Sequence, residues 1–404
     1  MSLACNPTNL RNLSRCFSCF TPNQLREIQT YLDCQWFNNK TPTPPPTPPL
    51  FNIFTTPLVT IGTGMNTFNH PLGVTPQIVR PVLVCTANDA ASGYSAGDEI
   101  DIGMLTWSSF GGQSVIGVYV NSATVSVQTN EFRNGATWVV WNKGANNTAS
   151  SVSSSANFAV KVYCLVGNTI SPFTAGPITQ NTGATNFNHG LGAVPNLVYS
   201  SVLVVGNDAQ VNAPIGDEMP ADFYFKQTPP APISLCLQNS TQVTLVSDAL
   251  RVGQEANNVA WNFNVNDSAI NGVSMANFKT KAYAFSVPGM TTNTFSNAAG
   301  IQSFAHGFSK TPQLVIPVIR MTVNDANFDY SLNDEVPLKM WGCPTNRPQI
   351  AMVGANASTI FLNTAQFFAG NEGQCHTWKK ITDFALQSPL NWGNWSLVVY
   401  ALAI

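Results

Sequence analysis

Charge is what this chain has least of. Only 9% of its 404 residues are Asp, Glu, Lys or Arg, against about a quarter in ordinary soluble domains. The 18 basic and 20 acidic residues nearly cancel, which leaves no basic stripe for a nucleic acid and no polybasic patch for a membrane surface. No apolar run approaches the length of roughly 18 residues that a spanning helix needs, so membrane insertion is not expected. Ser2-Leu3-Ala4-Cys5 looks like a lipoprotein cleavage box, but only Met1 stands before it, where a charged and apolar leader would be required. The expected location is therefore the cytoplasm of the producing cell, or a particle assembled there. A repeating disulfide framework is missing too. Cys5, Cys16, Cys19 and Cys34 crowd the first 34 residues, while Cys85, Cys164, Cys236, Cys343 and Cys375 fall at places that do not recur. Scattered cysteines of that kind read as small core residues or free thiols.

Histidine is also scarce, and three of the four are placed in register. His70, His189 and His306 lie 119 and 117 residues apart. Each is followed six residues later by a proline (Pro76, Pro195, Pro312) that opens a branched apolar run. An Asn-Asp pair ends nineteen residues after each His, at Asp89, Asp208 and Asp325. An Asp-Glu pair begins nine residues further on: Asp98-Glu99, Asp217-Glu218 and Asp334-Glu335. Trp141, Trp261 and Trp378 form one later column, and Phe158/Tyr163, Phe278/Tyr283 and Trp395/Tyr400 another. Three tandem copies of one unit of ordinary domain size account for nearly everything after residue 50.

Abundant Asn, Thr, Ser, Gly and Pro mark turns, and the runs between them are rich in branched and aromatic residues, as in Val115-Ile-Gly-Val-Tyr-Val120 and Phe158-Ala-Val-Lys-Val-Tyr163. The expectation is all-β: three tandem antiparallel sandwiches over 58–168, 169–287 and 288–404. Gly167 to Thr179 and Val287 to Ser296 read as short joins. Ahead of them, 1–40 reads as a helical hairpin. Asn6-Pro7 and Thr21-Pro22 supply caps, and Leu10, Leu13, Cys16 and Phe17 give the first apolar face. Such a hairpin brings Cys5 near Cys34; a disulfide, reduced packing cysteines and zinc held with the Cys16/Cys19 pair all stay open. Residues 41–57, with Thr41-Pro-Thr-Pro-Pro-Pro-Thr-Pro-Pro49 at their head, read as a polyproline spacer.

The recurrent His sits in a turn just before a strand, where an imidazole commonly locks the turn, with ligand contact as the second reading. No nucleophile recurs beside it, so no catalytic residue and no cofactor are expected. Asp89, Asp208 and Asp325 read as turn caps. Asp98, Glu99, Asp217, Glu218, Asp334 and Glu335 could converge on a weak calcium site; capping is the plainer account. Asn-x-Ser/Thr triplets at Asn146, Asn239, Asn266, Asn356 and Asn394 follow from the composition.

The string Phe-x-His-[Pro/Gly]-[Leu/Phe]-x-x-x-Pro-x-[Ile/Leu]-Val, present at Phe68, Phe187 and Phe304, resembles the opening of H-type lectin domains and of related sandwich modules in bacteriophage tail and fibre proteins. The segment from Arg15 to Cys34 is similar to one at the start of phage virion proteins. The resemblance implies trimeric six-stranded sandwiches with sugar bound between protomers. It covers the fold-forming opening, so no sugar-contacting residue is carried over. The expected function is that of a virion structural protein, a tail or head fibre. Residues 1–40 would contact other virion proteins, and repeated lectin-like domains would bind a host-surface glycan or receptor. A purely structural decoration or connector protein is the alternative, and a glycan-degrading enzyme the second. Assembly is expected as a homotrimer of stacked tiers, with a single chain closing on itself as the other route.

Overall fold

The computed structural model describes residues 21–26, 48–62, 64–101, 106–107, 114–130, 138–141, 143, 149–152, 155–179, 183–207, 213–220, 235–238, 241–247, 259–261, 269–271, 275–295, 301–324, 330–337, 352–363 and 394–404. It divides at Pro48, with Pro49–Ile404 as one compact unit. In the first unit Thr21 caps a helical turn over 22–26. Its hydroxyl accepts from the Gln24 N–H at 3.5 Å and its own N–H donates to Gln24 Oε1 at 3.0 Å, the reciprocal box expected before Pro22. Cys5, Cys16, Cys19, Cys34 and residues 41–47 of the Thr/Pro run lie outside the described residues. No helix among the described residues is long and apolar enough to cross a membrane.

The second unit is built of antiparallel strands, seven principal ones per copy. The first copy supplies β1 (Phe51–Thr55), β2 (Gly64–Asn69), β3 (Ile78–Cys85), β4 (Glu99–Asp101), β5 (Ser114–Val120), β6 (Thr124–Asn130) and β7 (Phe158–Gly167). The second supplies β8 (Phe173–Thr179), β9 (Gly183–Asn188), β10 (Leu197–Val204), β11 (Glu218–Pro220), β12 (Leu235–Gln238), β13 (Gln242–Ser247) and β14 (Phe278–Phe285). The third supplies β15 (Thr291–Phe295), β16 (Ile301–Ala305), β17 (Leu314–Met321), β18 (Glu335–Pro337), β19 (Met352–Ala355), β20 (Thr359–Asn363) and β21 (Trp395–Leu402). Branched and aromatic residues dominate the long central strands, and β3 is buried along its whole length, as befits a strand covered on both faces.

The copies do not keep their sheets to themselves. One sheet runs β1-β7-β3-β4 and continues into β19-β20-β16 of the third copy. The next runs β8-β14-β10-β11 and continues into β5-β6-β2 of the first. The last runs β15-β21-β17-β18 and continues into β12-β13-β9 of the second. Sheet sharing thus passes from copy 1 to copy 2, from 2 to 3 and from 3 back to 1, closing a cycle within one chain. The largest buried cluster follows suit, joining Val79 and Leu165 to Leu197 and Phe285 and to Leu314 and Leu402. Copy 2 also has a smaller interior of its own, where Val198, Ala282 and Ala284 meet Val243.

Three segments need reassignment. Residues 51–55, assigned to the spacer, form β1, which pairs with β7 from Phe51↔Gly167 to Thr55↔Tyr163. Likewise 173–179 and 291–295, read as joins, are β8 and β15, paired with the last strands of their own copies. Gly and Pro hid 173–179, Thr and Asn hid 291–295, and 51–55 adjoins the Pro run; all three are edge strands, bonded on one side only, which tolerate residues a central strand excludes.

Candidate functional site: the seams between copies

Where one copy's sheet passes into another, the Asp-Glu pair is always present. Ala355 pairs with Glu99, Val120 with Glu218, and Gln238 with Glu335. Each is the last residue of a fifth strand set against a recurrent glutamate. Neighbouring residues of a strand point to opposite faces, so each Asp and its Glu part company and do different work.

The Glu side chains lie in buried triads. Glu99 accepts from Lys161 and from the Tyr163 hydroxyl at 2.9 Å. Glu218 accepts from Lys281, from the Tyr283 hydroxyl at 3.3 Å and from Ser201 Oγ at 2.8 Å. Glu335 accepts from Arg320 Nε and from the Tyr400 hydroxyl, both at 2.7 Å. Burial, then the adjacent carboxylate, pushes all three tyrosines above their ordinary range, so they stay donors. In the third copy the cation has moved. Val398 stands where Lys161 and Lys281 stand, and Arg320 occupies the place of Val84 and Leu203, directly across from the Glu. Loss of the cation from one strand is matched by its gain on the neighbour, as expected if a buried carboxylate must be neutralised.

The Asp side chains face the turns. Asn121 Nδ2 donates to Asp217 Oδ1 at 3.0 Å, and Asn356 Nδ2 to Asp98 Oδ1 at 3.1 Å. Copy 1 thereby ties to copy 2, and copy 3 to copy 1. The corresponding Asn239 lies outside the described residues. The same asparagines close the turn after the fifth strand, with Asn121 Oδ1 accepting from the Thr124 N–H at 2.8 Å and Asn356 Oδ1 from the Thr359 N–H at 2.9 Å. Asn356, noted only as a triplet in the sequence, is therefore a seam residue.

The recurrent histidines lock onto those turns. His70 Nδ1 accepts from the Leu72 N–H at 3.3 Å while Nε2 faces the Asn121 carbonyl at 2.9 Å. His306 does the same with the Phe308 N–H and the Asn356 carbonyl, both at 3.0 Å. His189 Nδ1 accepts from the Leu191 N–H at 3.0 Å. An imidazole that accepts at Nδ1 carries its proton on Nε2 and donates there, so both nitrogens of His70 and His306 are occupied by backbone groups. The stacking aromatic has also moved between copies. Phe54 and Phe173 approach His70 and His189. In copy 3, where Thr291 replaces that phenylalanine, Phe308 stacks on His306 at 5.1 Å in the place of Leu72 and Leu191.

Asp89 caps its own turn, taking the Ser92 N–H at 3.0 Å and Asn157 Nδ2 at 3.2 Å. Burial works to raise its pKa, but those bonds outweigh it and hold the carboxyl below its usual range. Asp208 and Asp325 lie outside the described residues. The six acids read as a calcium site have N–H, O–H and cationic partners wherever their bonds are described, and no group of three or more His, Cys, Asp or Glu among the described residues is arranged for a metal ion. Cys85 and Cys164 are buried free thiols; Cys343, Cys375 and His376 lie outside the described residues.

Asp217 differs from its counterparts. Asp98 and Asp334 accept from the N–H three residues back, Ser95 at 2.9 Å and Ser331 at 2.8 Å. Pro214 holds that place before Asp217 and has no N–H to give. Burial raises the Asp217 pKa and the Asn121 bond only partly offsets it. A carboxyl with a raised folded pKa holds its proton more tightly folded than unfolded, so stability falls as pH rises from its unfolded value, about 3.9, through the raised one. Asp217→Asn, which still accepts from Asn121, is expected to melt higher than the parent at neutral pH and together with it below pH of about 3. Melting curves across pH check this; equal melting at neutral pH would refute it.

No family model matches the chain, and no curated protein is similar to it at a significant level.

Proposed function

We propose that the chain is a phage virion fibre or receptor-binding protein, in which residues 1–40 attach to other virion proteins, a Thr/Pro spacer follows, and three lectin-like sandwiches over 51–404 bind a host-surface glycan or receptor. The observation that carries this reading is the cyclic sharing of sheets among three copies of one unit. Three copies of one unit in a single chain suit weak sites whose avidity comes from effective concentration. Binding is favoured over catalysis because the recurrent titratable groups are spent on structure: the histidines of copies 1 and 3 on backbone groups, the glutamates on cations and tyrosines. A glycan-degrading enzyme would need free carboxylates flanking a bond.

The full chain on a glycan array, with released sugar assayed in parallel, tests the reading. Retention of a glycan without hydrolysis is expected. Hydrolysis would favour the enzyme, and no retention on glycans or host cells would favour a connector. Deleting residues 1–40 is expected to leave a soluble chain that no longer joins the particle; normal incorporation would refute the attachment role.

A further inference from the structure

At the seam from copy 3 to copy 1, an amine and a carboxamide from different copies meet on one buried carboxylate. Asp98, 1% exposed, takes the Lys143 ammonium at 2.5 Å on Oδ2 and Asn356 Nδ2 at 3.1 Å on Oδ1. Lys143 and Asp98 belong to copy 1, Asn356 to copy 3. The Lys143 backbone is pinned, its N–H donating to the Ser92 carbonyl at 2.7 Å. Its ammonium lies 4.4 Å from the centre of the Phe361 ring and 5.9 Å from that of Tyr94, two buried rings that shield it on one side. The Asn356 carboxamide is held as firmly. Its Oδ1 accepts from the Ser358 and Thr359 N–H groups at 3.0 and 2.9 Å and from both their hydroxyls at 3.1 Å.

A nucleophile, a proton carrier and a carboxamide oxygen set among fixed donors are the parts of an acyl transfer. We propose that Lys143 Nζ and Asn356 Cγ join in an amide bond that fastens copy 3 to copy 1. The Lys143 ammonium gives a proton to Asp98, and the lone pair so freed attacks Cγ. The charge that develops on Oδ1 falls where two N–H groups and two hydroxyls already point. The carbonyl then re-forms and the Cγ–Nδ2 bond breaks, its electron pair leaving with the nitrogen. Two protons in all pass through Asp98 from the attacking nitrogen to the departing one, which leaves as ammonium, and Asp98 ends as it began. The seam from copy 1 to copy 2 has the same acceptor without the nucleophile. Asn121 Oδ1 accepts from the Ala123 and Thr124 N–H groups and Nδ2 reaches Asp217, but Phe263 follows Trp261 where Lys143 follows Trp141. Copies 1 and 2 are consecutive in the chain, whereas no short join spans the seam from copy 3 to copy 1. A covalent tie there closes a long loop and so restricts the unfolded chain.

Mass spectrometry of the purified full chain, unfolded under reducing conditions, is the test. An intact mass at least one ammonia below that of the sequence is expected and, after trypsin, a joined peptide holding uncut Lys143 and Asn356. Lys143→Arg keeps a cation beside Asp98 without the amine. It should regain the ammonia lost at this seam, yield the two peptides separately and melt lower than the parent. A parent chain of full mass, cut after Lys143, would overturn the proposal and leave a plain ion pair, whether or not the variant folds. So would a chain one water lighter with Lys143 joined to Asp98, or joined peptides found only in species heavier than one chain.

Discussion

Glu218→Ala is expected to destabilise the second unit by about 3–5 kcal/mol, the usual cost of removing one partner from a buried ion pair. Its carboxylate is 4% exposed and takes bonds from Lys281, Tyr283 and Ser201. Alanine leaves the Lys281 ammonium, whose side chain is itself 14% exposed, without a counter-charge beside the Tyr283 ring it covers at 5.0 Å. Glu218 also starts β11 and pairs with Val120 at a seam, so the damage falls where two copies meet. Chemical denaturation measures the loss, and a change within about 0.5 kcal/mol, the range of ordinary surface substitutions, would show that the triad does not hold the seam. The third copy supplies a control. Lys161→Val should destabilise, and adding Val84→Arg should recover part of the loss, because Arg320 occupies that place opposite Glu335. If Val84→Arg worsens matters in the Lys161→Val background, cation relocation is not an equivalent solution.

His70→Ala should also be costly, at about 1–3 kcal/mol, because two half-buried backbone groups, the Leu72 N–H and the Asn121 carbonyl, lose their partner and water replaces it only in part. Asn121 is the residue that reaches Asp217, so the loss passes directly to the next seam. If the turn is an anchor, the same substitution at His189 lowers the melting temperature while any glycan retained by the parent is still retained by folded protein. Intact stability with abolished binding would make the histidine a ligand contact instead.

Much of the local architecture was legible along the chain. The Thr21-Pro22 cap, the strand character of Phe158–Gly167 and the register of the His, Asn-Asp and Asp-Glu landmarks follow from neighbouring residues, because turn chemistry and strand propensity act over a few positions. The edge strand 173–179 escaped notice because edges accept Pro and Gly, 291–295 because Thr and Asn dominate it, and 51–55 because it adjoins the Pro run. The Asp-Glu pairs were visible as acids, but their separate tasks were not. Only the pleat sends Glu99 to Lys161 and Tyr163 and Asp98 to Asn356.

Three tandem copies of an antiparallel unit are a property of the sequence itself, since a repeated pattern folds into a repeated structure wherever it occurs. Which copy continues which sheet is a tertiary decision. Sheet continuation is made by backbone N–H and C=O groups, which every residue carries, so Ala355 against Glu99 and Val120 against Glu218 look like any other strand positions in a linear sequence. The exchanges that give each seam its identity, Tyr119 and Ser126 for Gly354 and Phe361, or Lys161 and Val84 for Val398 and Arg320, stand as unrelated differences until the register sets them across from one another. Volume and charge are conserved over the pair and not over the position, and only the fold says which positions form a pair.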